Sequence, residues 1–259
     1  MMYFELDDFR QAYVVAKNEI RKFIRGKKFL VYVIMVTLVF ALWTLLPFAL
    51  GESFTEAYGG GNIIPVYTAF MIILIVVGAT LFASNVIVSE FEERTALVLF
   101  TRPVKRTSIF VGKVIGCLVI EASLIILYYL GVAIVVLSVD GNIPIEWCKS
   151  LGLAMMYILA ASGVAVAISS ILKKSSTSAV LTFFSLLLII SMVSVALVIA
   201  GIDPWFMLDR AADELHPATF ENGMPVTPME HAARAAGVMA AWCAATMVLA
   251  WLAFIRREF

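Results

Sequence analysis

A single carboxylate inside a long apolar run is the residue of this chain whose position most invites chemistry. Glu121 lies in the stretch Val114–Leu137, which carries no other charge. A charged group at the centre of a bilayer costs roughly 2.5–3.5 kcal/mol on insertion scales, so its presence asks for a reason. Three are open: it lines a substrate path, pairs with another helix, or lies close enough to the inner surface to reach water. His216 and His231, the only two histidines, have Glu214 and Glu230 beside them and could bind a metal together with those carboxylates. Nothing in their spacing fixes such a geometry, and loop side chains are the plainer reading. Glu92-Glu93 could serve an intramembrane hydrolase, yet both histidines fall outside the apolar runs, and the chain has neither HExxH nor GxSxG. Cys117, Cys148 and Cys243 are far apart and form no CxxC pair, so they read as small apolar residues. A phosphate loop needs GxxxxGK[ST]. Gly112-Lys113 is followed by Val114 and lacks the upstream glycine, so any ATP hydrolysis must come from another polypeptide. No catalytic, cofactor or metal site is expected in this chain.

The elements that hold these residues are set by composition. Of 259 residues 62% are apolar and 15% charged, with a mean hydropathy of +0.98, whereas soluble domains are about one quarter charged. Lipid is the solvent for most of this chain, and long unbroken apolar runs point to helices rather than a barrel. Six runs suffice for a hydrocarbon core, which takes roughly 20 residues of helix. They are Phe29–Leu50, Val66–Val88, Val114–Leu137, Leu151–Leu172, Ala179–Gly201 and Ala235–Ile255. The first is too long for a signal-peptide core and is expected to stay in the membrane. All but three of the 19 Lys and Arg residues fall in the N-terminal segment, in alternate loops and at the C-terminus. The remaining loops hold only Lys149, Arg210 and Arg234 and are rich in Asp and Glu. Positive residues stay inside, so both termini are expected in the cytoplasm of a multi-pass cell-membrane protein. The fold class is an all-α integral membrane protein. Residues 1–28 form a cytoplasmic segment, 29–255 a six-span domain, and 256–259 a cytoplasmic end. The span domain includes a cytoplasmic connection over 89–113 and an outer loop over 202–234.

Two segments do not span. In Asp8–Gly26, the residues Phe9, Tyr13, Ala16, Ile20, Phe23 and Ile24 recur near helical spacing, with Lys17, Arg21, Lys22 and Arg25 between them. This pattern predicts an amphipathic helix on the inner membrane surface, the alternative being a solvated helix ahead of the first span. In the long loop Ile202–Arg234, Asp209–Leu215 and Met229–Ala235 are candidate short helices, the second started by Thr227 and Pro228.

The connection after the second span is the most informative stretch. It runs Ser89-Glu90-Phe91-Glu92-Glu93-Arg94-Thr95-Ala96-Leu97-Val98-Leu99-Phe100-Thr101-Arg102-Pro103-Val104-Lys105-Arg106. Carboxylates come first, where they favour a helix start. An apolar patch follows, and Pro103 ends the helix because the residue before a proline avoids helical geometry. Lys105, Arg106 and Lys113 are then expected among lipid headgroups. A short helix with an apolar face at Leu97, Val98 and Phe100 suits a partner's groove, or it is an ordinary positive-inside loop.

That stretch resembles the permease subunits of ABC-2 type transporters. Their pattern here is an acidic residue, Gly-Thr, a Leu-rich turn, Pro-Val-Ser-Arg and a later Gly-Lys. Glu90, Thr95, Leu97, Leu99, Arg102-Pro103-Val104, Arg106 and Gly112-Lys113 match it, while Arg94 and Lys105 stand where glycine and serine are usual. The surface helix, six spans and long loop before the last span fit the same layout. The resemblance implies an ATP-driven transporter, with export as its expected direction, in which Glu90, Glu92, Glu93, Arg94, Thr95, Leu97, Phe100, Arg102, Pro103 and Arg106 form a coupling helix. It implies two copies of a separate ABC ATPase that carries ATP and Mg, a second permease subunit and a lipid membrane as partners, and no nucleic acid. A stand-alone secondary transporter or channel would carry several charges within its spans, and only Glu121 is present. A membrane assembly protein without transport activity would need no ATPase.

Overall fold

The computed structural model describes residues 6–51, 63–92, 105–216, 219–221, 224–226 and 231–256. Six of its helical segments are long and apolar enough to cross a membrane: Lys27–Ala49, Ile64–Glu92, Arg106–Val139, Ile145–Ile171, Ser175–Ile199 and Ala232–Arg256. They are called the first to sixth spans below. A further helix, Leu6–Ile24, precedes them and leaves only Arg25 and Gly26 before the first span begins. Each helix ends for a local reason. The first closes on Gly51 and the third on Gly141, both with positive φ (74° and 70°), and each glycine N–H returns to a carbonyl of the last turn.

The third span belongs to a helix of 35 residues, Arg106–Asp140, roughly 50 Å at 1.5 Å per residue. That exceeds what a hydrocarbon core of about 30 Å requires. The apolar window that predicts a span from Val114 misses the first two turns, because Arg106, Ser108 and Lys113 interrupt it. Those turns are nonetheless helical, and Ser108, Ile109, Phe110 and Lys113 are buried in them.

The second span is the most enclosed of the six and is not one regular helix. It comprises Ile64–Thr68, Met71–Leu81, a 3-10 turn at Ala83–Asn85 and Val88–Glu92. Such a break is tolerated in a membrane only where protein replaces the lost backbone bonds. Here Ser169 of the fourth span does so, its Oγ accepting from the N–H groups of Ile87 (3.2 Å) and Val88 (3.0 Å). Ser178 of the fifth span donates to the Ser84 carbonyl at 2.6 Å. The fourth span packs along the sixth, where a Cβ on Gly163 would collide with the Thr246 hydroxyl; small residues let these backbones approach. The fifth contains a π-helical turn, Ser185–Ile189.

Between the fifth and sixth spans lie a short helix, Leu208–Asp213, and a two-residue-linked hairpin of Thr219–Glu221 with Met224–Val226. The helix falls where Asp209–Leu215 is predicted. The predicted start of the second short helix, at Thr227 and Pro228, lies outside the described residues, and Ala232 onward is continuous with the sixth span.

Candidate functional site

One end of the bundle gathers the charged residues of the sequence. Lys28, Asn85, Glu90, Glu92, Lys113 and Ser175 meet there, although they come from four different spans. Glu90 accepts from Lys113 Nζ at 2.8 Å, and Glu19 of the N-terminal helix accepts from the same ammonium at 3.2 Å. Lys22 lies 3.6 Å from Glu90 and 4.0 Å from Glu19. Lys113 is 4% exposed. One buried ammonium thus holds two carboxylates, and a half-exposed one sits at their outer edge. The expectation that Lys113 lies among lipid headgroups is therefore corrected: its charge is held inside the protein because two acids from distant segments converge on it. Lys105 is likewise paired, with Asp8 at 2.7 Å.

Glycines make this convergence possible. A Cβ on Gly112 would stand 2.6 Å from the Ala12 carbonyl oxygen and 2.7 Å from Val15 Cβ. One on Gly116 would stand 2.9 Å from Glu19 Cβ. Four residues apart, the two glycines share a face of the third-span helix, and the N-terminal helix rests directly on it through Asp8, Ala12, Ala16 and Glu19, all buried. The Gly-Lys pair of the sequence pattern thus acquires a physical meaning. Glycine lets the N-terminal helix approach, and the lysine ties that helix to the end of the second span.

Two further bonds extend the cluster. Glu92 Oε2 accepts from the Ser175 N–H at 2.8 Å, placing a carboxylate at the positive end of the fifth-span helix. The Asn85 amide joins Ser175 through its nitrogen, while its oxygen accepts from Ser84 Oγ at 3.1 Å and Lys28 Nζ at 2.9 Å. Phe254, near the end of the sixth span, stacks edge-on with Phe91 and is tilted against Phe110. Of the residues proposed for partner coupling, Glu90 and Glu92 thus have partners within the chain itself, and Arg106 is exposed at the start of its helix. Glu93, Arg94, Thr95, Leu97, Phe100, Arg102 and Pro103 lie outside the described residues.

Glu121 is wholly buried between four spans. Its Oε2 accepts from Ser162 Oγ of the fourth span at 3.0 Å. Gly78 of the second span leaves room for it: a Cβ there would stand 2.7 Å from both Glu121 Oε1 and the Tyr32 hydroxyl. Tyr32, from the first span, donates to the Leu74 carbonyl at 3.1 Å.

At the opposite end the two histidines part company. His231 lines a cavity of about 420 Å³ with Asp203, Arg210, Asp213, Glu214 and Arg234. His216 is partly buried near the Thr68 backbone, and burial pushes its pKa down while that backbone acts in the opposite sense. Among the described residues no three His, Cys, Asp or Glu side chains group to hold a metal ion; Glu230 lies outside them.

Sequence reasoning missed Asp8, Glu19 and Asn85. Glu19 left a signal: it is an acid among Lys17, Arg21, Lys22 and Arg25, on a helix whose other charges there are all positive. Ser162 and Ser169 stand out in the sequence as small residues of the fourth span that let helices pack closely, while the bonds they make to Glu121 and to the second span have no sequence signal.

Six apolar helices, a broken inner span and an amphipathic helix bound to an over-long third helix define a multi-pass α-helical membrane protein. The family model described as "ABC-2 family transporter protein" matches residues 13–259, so the chain belongs to the ABC-2 transporter family. No curated protein matches it. Its place is that of a membrane-spanning permease subunit of an ABC transporter; that family generally works with an ABC ATPase and is not itself the catalytic component.

Proposed function

We propose that this permease is driven by two copies of a separate ATP-binding subunit, pairs with a second permease chain, and works as an exporter. The charged end of the bundle faces the cytoplasm, in keeping with the distribution of Lys and Arg. Residues 90–106 are the contact with the ATPase, with Leu97 and Phe100 as its apolar face.

The observation that carries this reading is the position of Glu90. It stands at the last described turn before residues 93–104 and is bonded to Lys113, which in turn holds Glu19. Glu92, two residues further, is bonded to the start of the fifth span. A push on this connection therefore enters the N-terminal helix and the second, third and fifth spans through short, charge-assisted bonds. Such bonds are roughly twice as strong as neutral ones. The N-terminal helix and the third-span helix move together, since their backbones touch at Gly112. The bundle then shifts as packed bodies between inward- and outward-facing states. Glu121, held by Ser162 in a niche left by Gly78, serves helix pairing within the moving core.

Leu97→Asp tests the contact, because it places a charge where an apolar face is needed. The expected result is loss of ATPase pull-down and of transport while the permease stays normally inserted. Wild-type levels of both would remove residues 90–106 from the coupling role.

A further inference from the structure

The N-terminal helix carries three stripes of different chemistry, and one of them is buried against the third-span helix. Asp8, Ala12, Ala16 and Glu19 face the third-span helix and are buried. Beside them runs an apolar ridge of Phe9, Tyr13 and Ile24, spaced four and eleven residues apart and 64%, 66% and 52% exposed, with Ile20 between them partly buried against the core. Arg10, Lys17 and Arg21, spaced seven and four apart, form the next stripe and are all exposed. Residues at these spacings share one face of a helix. The division of basic residues is sharp. Lys22, Lys105 and Lys113 are engaged with Glu19, Glu90 and Asp8, whereas Arg10, Lys17 and Arg21 form no ion pair among the described residues.

From this arrangement we propose that the outer side of the N-terminal helix is a docking surface for anionic phospholipid. The apolar ridge enters the headgroup boundary, and Arg10, Lys17 and Arg21 bind lipid phosphate. Three observations select lipid as the occupant. The helix ends two residues before the first span starts, so the chain itself holds it at the bilayer edge. An exposed apolar ridge bordered by a cationic stripe is the pattern of helices that lie in the interface. The charge is complementary to anionic headgroups and is not consumed by acids among the described residues. The inner stripe carries Glu19, so lipid held on one side of this rigid helix sets the position of the Lys113 cluster on the other. This rests on the proposed coupling reading, but its test reads lipid retention rather than transport, so the two can fail separately.

The test uses the purified full chain and native mass spectrometry, comparing retention of phosphatidylglycerol with that of phosphatidylcholine. Arg10→Gln/Lys17→Gln/Arg21→Gln is expected to lower the preference for phosphatidylglycerol by about tenfold or more, since each cation near an anionic surface contributes roughly fivefold. Arg10→Lys/Lys17→Arg/Arg21→Lys, which keeps the charges, should retain it. Lys149→Gln/Arg210→Gln/Arg234→Gln, at the opposite end, should leave it unchanged. Circular dichroism and gel filtration confirm that each variant is folded. A neutral N-terminal variant that keeps the wild-type preference would overturn the proposal, as would an equal loss in the opposite-end variant. A neutral variant that keeps its lipid but no longer co-purifies with the ATPase would assign this face to the protein partner instead.

Discussion

The two ends of this bundle are fastened in different ways. At the charged end, Lys113 is bonded to carboxylates from two segments that are distant in sequence, at 2.8 and 3.2 Å. At the opposite end one carboxylate takes part, Asp209 accepting from Ser194 Oγ of the fifth span at 2.5 Å, and the other side-chain hydrogen bonds there among the described residues are neutral. Ser150 donates to the Leu215 carbonyl at 2.7 Å and lies 2.8 Å from the Tyr129 hydroxyl. With the serine's proton already used, the tyrosine is the donor in that pair. Trp147 Nε1 donates to the Tyr129 carbonyl at 3.2 Å, and Trp242 Nε1 to that of Phe206 at 3.0 Å. The ion pair found there, Arg210–Asp213, is 3.8 Å long with both side chains largely exposed, and such pairs contribute about 0–1 kcal/mol. The difference teaches where the molecule resists and where it yields. A buried charge bound by two partners cannot let go of one without a large penalty, so that end moves as a unit. Single neutral bonds exchange more readily with water.

The largest effect is expected from Lys113→Met. It leaves Glu19 and Glu90 without their buried partner, and breaking a buried pair from one side costs about 3–5 kcal/mol. Thermal unfolding of the purified chain should move sharply downward. An unchanged midpoint would mean that the pairing is not holding the N-terminal helix. Ser150→Ala should cost far less, about 1–3 kcal/mol for one buried carbonyl and one hydroxyl left unpaired. If Ser150→Ala proves the more damaging of the two, the contrast between the ends is reversed.

The smallest effect concerns His216. Burial lowers its pKa from the ordinary value near 6.5, partly offset by the Thr68 backbone beside it. The folded state therefore binds this proton more weakly than the unfolded state. Its contribution is fully present above about pH 6.5 and is lost as pH falls from there through the folded-state value. A modest drop in unfolding temperature between pH 7.5 and 5.5 is expected, and it should shrink in His216→Gln. Identical pH dependence in both proteins would remove His216 from this account.

The parts of this architecture that sequence reveals are those governed by long averages. Six apolar windows mark six spans because each must cross the hydrocarbon core, against lipid or against other apolar helices. The ends of helices are set by particular contacts and do not show in such windows. Arg106–Lys113 reads as a polar loop, yet it is helical because the N-terminal helix lies against Gly112 and Gly116. Glu90 stands out as chemistry-bearing, but its partners cannot be read from local pattern, since Lys113 is 23 residues away and Glu19 pairs with that lysine across 94. Likewise, the second span reads as one apolar run. Its break depends on Ser169, whose hydroxyl replaces the missing backbone acceptor from 81 residues further along the chain. Of the stripes on the N-terminal helix, spacing alone separates apolar from basic residues. Which residues face protein is decided by the glycines opposite, and so Ala16 turns inward while Tyr13 and Ile24 stay outside.

The central claim is that movement of the partner-facing connection enters the bundle through Glu90. Glu90→Gln tests it most directly, because Lys113 keeps Glu19 and the fold keeps its buried pair. The measurement is transport per ATP hydrolysed in vesicles containing the permease and its ATPase. The account predicts that assembly and hydrolysis stay within about twofold of wild type while transport per ATP falls at least threefold. A variant that binds the ATPase, hydrolyses ATP and transports at the wild-type ratio would contradict it.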